Sequence, residues 1–99
     1  MALQIKISSR ASKQVQKAAE WWEQNRPAAP GAIGADFGEG VALLAEQPGM
    51  GPKYEGARAP GVRRLFLGRV GYFIYYSVKG DTLQVLAFWH ASRDHQPAL

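Results

Sequence analysis

The sequence predicts an α+β domain of order β-α-α-β-β-β, with a helical hairpin packed on one face of a largely antiparallel four-stranded sheet. Three patterns carry that expectation: an alternating apolar run at the N-terminus, two apolar stripes at helical spacing, and three strand-like runs joined by short glycine turns. Ninety-nine residues suffice for one modest core and not for two, so residues 1–99 are read as one domain.

Leu3, Ile5 and Ile7 alternate with Gln4, Lys6 and Ser8, the period-two pattern of a half-buried strand. Ser8 or Ser9 then offers a side-chain oxygen to cap a helix. Ala11, Val15, Ala18 and Trp22 follow at spacings of four, three and four, which places them on one helical face. Lys13, Gln14, Lys17, Glu20 and Gln24 fall elsewhere and are read as solvated. Pro27 and Pro30 end this helix, because proline disfavours helical geometry in the residue before it and donates no hydrogen bond.

Ile33, Phe37, Val41 and Leu44 form a second stripe. Gly31, Gly34, Gly38 and Gly40 dilute it, each at a cost of roughly 0.5–1 kcal/mol relative to alanine in a helix interior. This helix must therefore lean on the sheet or on its neighbour, and the small residues permit close approach. Pro48 stops it. Residues 47–61 contain four glycines and three prolines, a loop of the length that is commonly functional.

Three strand-like runs follow: Val62–Leu67, Tyr72–Val78 and Thr82–His90. The turns Gly68-Arg69-Val70-Gly71 and Lys79-Gly80-Asp81 suit antiparallel hairpins. Strict alternation in the last run would put Leu83, Val85, Ala87 and Trp89 on one face, and Thr82, Gln84, Leu86, Phe88 and His90 on the other. Both sets are fairly apolar, which predicts a central strand.

Composition narrows the chemistry. Residues 1–50 carry five basic and five acidic side chains, whereas residues 51–99 carry seven basic against three acidic, so the whole excess of +4 lies in the second half. A localised basic surface favours a polyanionic partner, nucleic acid or an acidic protein segment. No apolar run approaches the ~20 residues that cross a bilayer. Met1 to Ile7 is too short and polar for a signal peptide, so a cytoplasmic location is expected. The absence of cysteine excludes disulfides and thiolate chemistry. His90, His95 and Asp94 match no metal-ligand spacing, and Gly49-Met50-Gly51 is not a phosphate loop, so neither a metal nor another cofactor is expected. His90, Ser92 and Asp94 invite comparison with a hydrolase triad. On an extended chain, however, side chains two apart lie roughly 6.6 Å from each other, beyond the ~3 Å that a nucleophile and its base require.

The arginines of the strand region are the better candidates. Arg63 and Arg64 alternate in direction, so one of them is expected on the concave, helix-free face, where guanidinium groups would bind phosphate bidentately. Arg69 and Arg93 come from neighbouring parts of the same sheet. Most aromatic residues are expected in the core, Trp22 and Phe37 among them. Tyr75 and Tyr76 point to opposite faces, so one is expected to be accessible. Trp21 sits off the main stripe and suits contact with a partner helix.

Several segments together carry a family resemblance. Ile5-Lys6-Ile7-Ser8, Trp21-Trp22 and Gln24-Asn25-Arg26-Pro27 resemble the opening of ParE-type toxins. Leu44 to Gly51 resembles the "L-x-x-x-P-x-x-G" element closing the second helix in the RelE/ParE superfamily. Val62-Arg63-Arg64-Leu65 and Tyr72-Phe73-Ile74-Tyr75-Tyr76 are similar to its middle strands, and Phe88 to Asp94 to its closing "V-x-H-x-x-R-D" element. The resemblance spans about the whole chain and rests on the order of these loose motifs.

The resemblance implies the toxin of a type II toxin–antitoxin pair, neutralised by a cognate antitoxin that wraps the helical hairpin and sheet edge; Trp21 and Tyr75 are its expected contacts here. RelE-like members cleave mRNA on the ribosome, and ParE-like members poison DNA gyrase. The shared fold does not decide between them. RelE-like ribonucleases use clustered Lys and Arg with a terminal His, Glu or Tyr for proton transfer. In this chain Lys53 is the only lysine of the central loop and no tyrosine follows Tyr76. Gyrase inhibition is therefore favoured, with Arg63, Arg64, Arg69, His90 and Arg93 binding the target. As a ribonuclease, His90 would be the acid or base, with Arg64 and Arg93 holding the phosphate. An inactive binding module is the third possibility.

Overall fold

The computed structural model describes residues 2–99. Its elements are β1 (Gln4–Ile7), α1 (Ser9–Asn25), α2 (Ala32–Glu46), β2 (Arg63–Leu67), β3 (Tyr72–Lys79) and β4 (Thr82–His90). The strands form one sheet in the order β1-β4-β3-β2. The β2–β3 and β3–β4 pairs are antiparallel. β1 runs parallel to β4, a pairing that the long connection between them permits.

Local chemistry explains the helix limits. Ser8 caps α1, its hydroxyl oxygen accepting from the Ala11 amide at 3.0 Å. Arg26, immediately before Pro27, closes the helix. All four α2 stripe residues are buried, packed with Ile74, Tyr76, Leu83, Val85 and Phe88 on one face of the sheet. Phe37 meets Phe88 edge-on at 5.4 Å. Gly40 faces the sheet rather than α1: a Cβ there would lie 2.9 Å from the Ile74 side chain. The β3–β4 hairpin turns through two residues, with Gly80 at φ 61°, the conformation that favours glycine at the first turn position.

Two expectations about faces are corrected. β1 is not half-buried: all four of its residues are exposed, Ile5 at 48% and Ile7 at 39%. It is an edge strand whose own side chains lie outside the core formed by the helices and the sheet; only Leu3, just before it, packs against that core. The second correction concerns β4, which does not alternate strictly. Tyr75 pairs with Ala87 but Tyr76 pairs with Val85, so Leu86 is an extra, bulged residue. Parity therefore flips. Leu83, Val85 and Phe88 face the helices, whereas Leu86, Ala87 and Trp89 face away.

The start of α1 satisfies the backbone around this bulge. The Ser8 amide and hydroxyl donate to the Val85 and Leu86 carbonyls at 3.0 and 3.2 Å. The Phe88 amide donates to the Gln14 side-chain oxygen at 2.8 Å. The bulge is thus a built joint between β4 and α1, and it sets which way His90 points.

Candidate functional site

The helix-free side of the sheet was expected to be an open arginine surface. Instead it carries a second small core of Val62, Tyr75, Ala87 and Trp89, packed by Tyr54 and Ala57 from the long loop and by Leu99. The loop folds back along β2: the Tyr54 amide donates to the Val62 carbonyl at 2.8 Å, and the Arg64 amide to the Pro52 carbonyl at 3.1 Å. The amides of Arg58 and Ala59 both donate to the Leu99 carbonyl. Glycine and proline content identified a loop, but not one that plugs a sheet face.

The arginines do not converge there. Arg64 is the one that points to this face, paired opposite Tyr75. Its guanidinium lies 4.2 Å from the Phe73 ring centre, 5.1 Å from Tyr54 and 5.8 Å from Tyr75. It also donates to the Tyr75 hydroxyl at 3.0 Å and the Gln96 side-chain oxygen at 3.1 Å. Such an aromatic cage holds a cation by its ring quadrupoles. Arg63 turns the other way and donates to the carbonyls of Gly51 at 2.7 Å and Gly49 at 3.3 Å. Arg69, in the β2–β3 turn, pairs at 3.3 Å with Asp36, a buried carboxylate on α2. Arg93 lies with its guanidinium 4.1 Å over the Trp89 ring. Each arginine has its own local partner, because β2 alternates and the turns project from different ends of the sheet.

Both tyrosines of the Tyr75-Tyr76 pair are fully buried, so neither is accessible. Tyr75 lies beneath Tyr54 and Arg64, and its hydroxyl donates to Gln96 at 2.5 Å. In this structure Tyr75 presents no surface to a partner. On the other face, the Tyr76 hydroxyl donates to the Pro48 carbonyl at 2.7 Å and accepts from the Gly51 amide at 3.0 Å. Burial raises its phenol above the ordinary value, against the pull of the Gly51 amide and Arg63. Trp21 is 51% exposed, as its position off the stripe predicts. Phe37 is in the core, and Trp22 is half-buried against it.

His90 points to the helix side, edge-on to Tyr72 at 4.8 Å, with Tyr72 stacked on Phe88 at 4.5 Å. Its Nδ1 accepts from the Ser92 amide at 3.1 Å and meets the Ser92 hydroxyl at 2.5 Å. An amide can only donate, so Nδ1 is the acceptor and the ring proton sits on Nε2. The 6.6 Å separation expected of an extended chain is thus wrong here, since residues 91–95 turn. The contact is a local clamp on the imidazole, made by the amide and hydroxyl of Ser92 without Asp94.

The bulge brings His90 to a cleft of about 400 Å³ between α1 and the end of the sheet, together with Gln14, Lys17, Trp21, Tyr72 and Arg93. No carboxylate lines it. Burial raises the Tyr72 phenol, and the Arg93 charge opposes that rise. Lys17, Gln14 and Tyr72 were not among the residues expected at a site. The spacing of Lys17 and Trp21, one helical turn apart, is the signal that would have joined them.

Residues 5–95 match the family model for the ParE toxin of the type II toxin–antitoxin system parDE. Among solved structures, the fold is similar to the chromosomal ParDE system from P. aeruginosa, with TM-score 0.76 and 24% identity over 92% of this chain and 98% of that one. It is also similar to a free E. coli toxin RelE carrying two arginine-to-alanine changes, with TM-score 0.68 and 19% identity over 93% of this chain and 86% of that one. No curated protein sequence matches. Within the described residues, no helix is long and apolar enough to cross a membrane. With the β-α-α-β-β-β order and mixed sheet in place, the match over nearly the full length establishes that the chain belongs to the ParE toxin family of type II toxin–antitoxin systems.

Proposed function

We propose that this toxin arrests growth by binding DNA gyrase, and that a cognate antitoxin holds it inactive until released. One observation carries the choice over mRNA cleavage. A ribonuclease built from His90, Arg64 and Arg93 needs all three on one scissile phosphate. His90 faces the helices beside Tyr72, whereas Arg64 sits on the opposite face with its donors on Tyr75 and Gln96. The sheet separates the acid–base candidate from one of its two phosphate ligands. Arg64 and Arg63 are then scaffold, and Arg69, Arg93 and His90 remain as target contacts at the β2–β3 turn and the end of β4. Trp21 is the exposed aromatic offered to the antitoxin.

Two assays on one preparation test this reading. Gyrase supercoiling should be inhibited, and ribosome-dependent mRNA cleavage should be absent. Cleavage that disappears in His90→Ala, with supercoiling unaffected, would reverse the assignment. Normal growth of cells producing the soluble wild-type chain without its antitoxin would favour an inactive module.

A further inference from the structure

We propose that the cleft between α1 and the end of β4 is a binding site for a single nucleic-acid strand, with Trp21 as the stacking platform for a base and Lys17, Lys13 and Arg93 as phosphate contacts. The site goes beyond gyrase binding and stands whichever machine the toxin attacks.

The cleft is lined by Lys17, Arg93 and His90 with no carboxylate, and it continues into a second hollow of about 550 Å³ along α1. The two share Gln14 and Lys17, and the second adds Arg10 and Lys13 with Glu20 as the one acidic residue. Arg10, Lys13 and Lys17 follow one another at helical spacing over about 10 Å. Among the described residues neither lysine pairs with a carboxylate, the one salt bridge being Arg69–Asp36. Arg63, Arg64 and Arg69 are occupied by carbonyls, an aromatic cage and a carboxylate, whereas Arg93 lies over the Trp89 ring and, among the described residues, spends none of its guanidinium N–H donors on a hydrogen bond. Lys13 and Lys17 thus stand unpaired on α1, beside Arg10, whose guanidinium donates to the Ala98 carbonyl at 2.6 Å.

Trp21 is half-exposed at the cleft wall, and the Tyr72 and His90 rings line the opposite side. A positively charged groove bordered by an indole face is the arrangement that takes single strands, because every base has a face to stack. An acidic peptide would satisfy the cations but would leave the indole unused. A duplex is too wide for a hollow of this size. The Ser92 clamp leaves the His90 Nε2–H free to donate to a phosphate or base oxygen.

The test is fluorescence polarisation with short labelled oligothymidylate and oligouridylate of equal length. Three phosphate contacts predict that affinity falls roughly twentyfold between about 50 and about 200 mM salt. Lys17→Gln should weaken binding and lower the magnitude of the salt slope by roughly 0.7. Trp21→Ala, at a half-exposed position that does not threaten folding, should weaken binding about tenfold with the slope unchanged. Lys79→Gln, on the far β3–β4 hairpin, should match wild type. The proposal fails if neither strand binds at low salt. It fails equally if Lys17→Gln and Trp21→Ala bind within twofold of wild type, or if polyglutamate of the same length competes as well as unlabelled oligothymidylate. Because the readout is direct binding, its failure is separate from any failure to inhibit gyrase.

Discussion

Removing the Tyr76 hydroxyl tests how the long loop is held. Tyr76 is fully buried, and its single oxygen donates to the Pro48 carbonyl while accepting from the Gly51 amide. Tyr76→Phe keeps the ring and leaves both groups without that partner. A buried unsatisfied amide costs about 1–3 kcal/mol, and a partly solvated carbonyl less. The expected loss is therefore about 2 kcal/mol. For a domain of this size each kcal/mol moves Tm by roughly 4–8 °C, giving a fall of about 8–16 °C. Urea unfolding with an unchanged m-value would show that the loss is stability and not a change in compactness. Gly51→Ala should damage the same joint, since its Cβ would sit 2.7 Å from the Tyr76 oxygen and 2.8 Å from the Arg64 carbonyl. The two changes together should cost less than their sum. A loss below about 0.5 kcal/mol in Tyr76→Phe would refute the anchoring role, because it would show that water or backbone movement satisfies both groups.

Other outcomes follow from the same packing. Tyr72 and Tyr76 have phenol pKa values raised by burial, so above the unfolded value of about 10 only the unfolded chain ionises freely. Their contribution is fully present below that pH and is lost as pH rises further; Tm should fall in alkali more steeply for wild type than for Tyr72→Phe. Arg64→Ala should destabilise by about 1–2 kcal/mol through loss of the cage and of its bonds to Tyr75 and Gln96, and Arg64→Lys should recover only part. Hydrogen exchange at the Arg58 and Ala59 amides, which hold the Leu99 carbonyl, should quicken in both variants. Gly38→Ala, where nothing lies within 4 Å of the new Cβ, should stabilise the protein by roughly 0.5–1 kcal/mol, whereas the same change at Gly40 must displace Ile74 and should not. Thermal unfolding of the pair decides it.

Element order and core were readable because they depend on short-range periodicity. The stripes Ala11–Trp22 and Ile33–Leu44 have one helical solution, and the glycine turns fix the hairpins. What failed depends on context that no local pattern contains. Ile5 and Ile7 alternate like a half-buried strand, yet whether a strand is covered depends on where two helices come to rest. Leu86 carries no sign of a bulge; its extra place becomes visible only against Tyr75 and Tyr76 across the ladder. The site reading suffered most, since arginine at adjacent positions says which faces are reached and not what already occupies them. Tyr54, Ala57, Gln96 and Leu99 fill the face where Arg64 points, and all four come from segments without regular structure.

The β4 bulge has a consequence for function. Without the extra residue, His90 would share a face with Leu86 and project away from the helices, toward Arg64 and the aromatic cage. With it, His90 stands beside Tyr72 and faces α1, where Lys17 and Trp21 lie. One inserted position thus moves the only strand histidine from the arginine that the loop and tail have enclosed to the lysine that remains free. Two groups of α1 hold the bulge in place, Ser8 through the Val85 and Leu86 carbonyls and Gln14 through the Phe88 amide. Gln14 also lines the cleft, so the residue that stabilises the bulge is itself part of the surface the bulge creates. Gln14→Leu should therefore do two things at once. It should cost about 1–2 kcal/mol by leaving the Phe88 amide unpaired, and it should change the His90 ring environment, read from imidazole proton shifts. A variant that loses the stability but leaves the His90 resonances unmoved would show that β4 keeps its register without help from α1, and that the position of the histidine is set by the sheet alone.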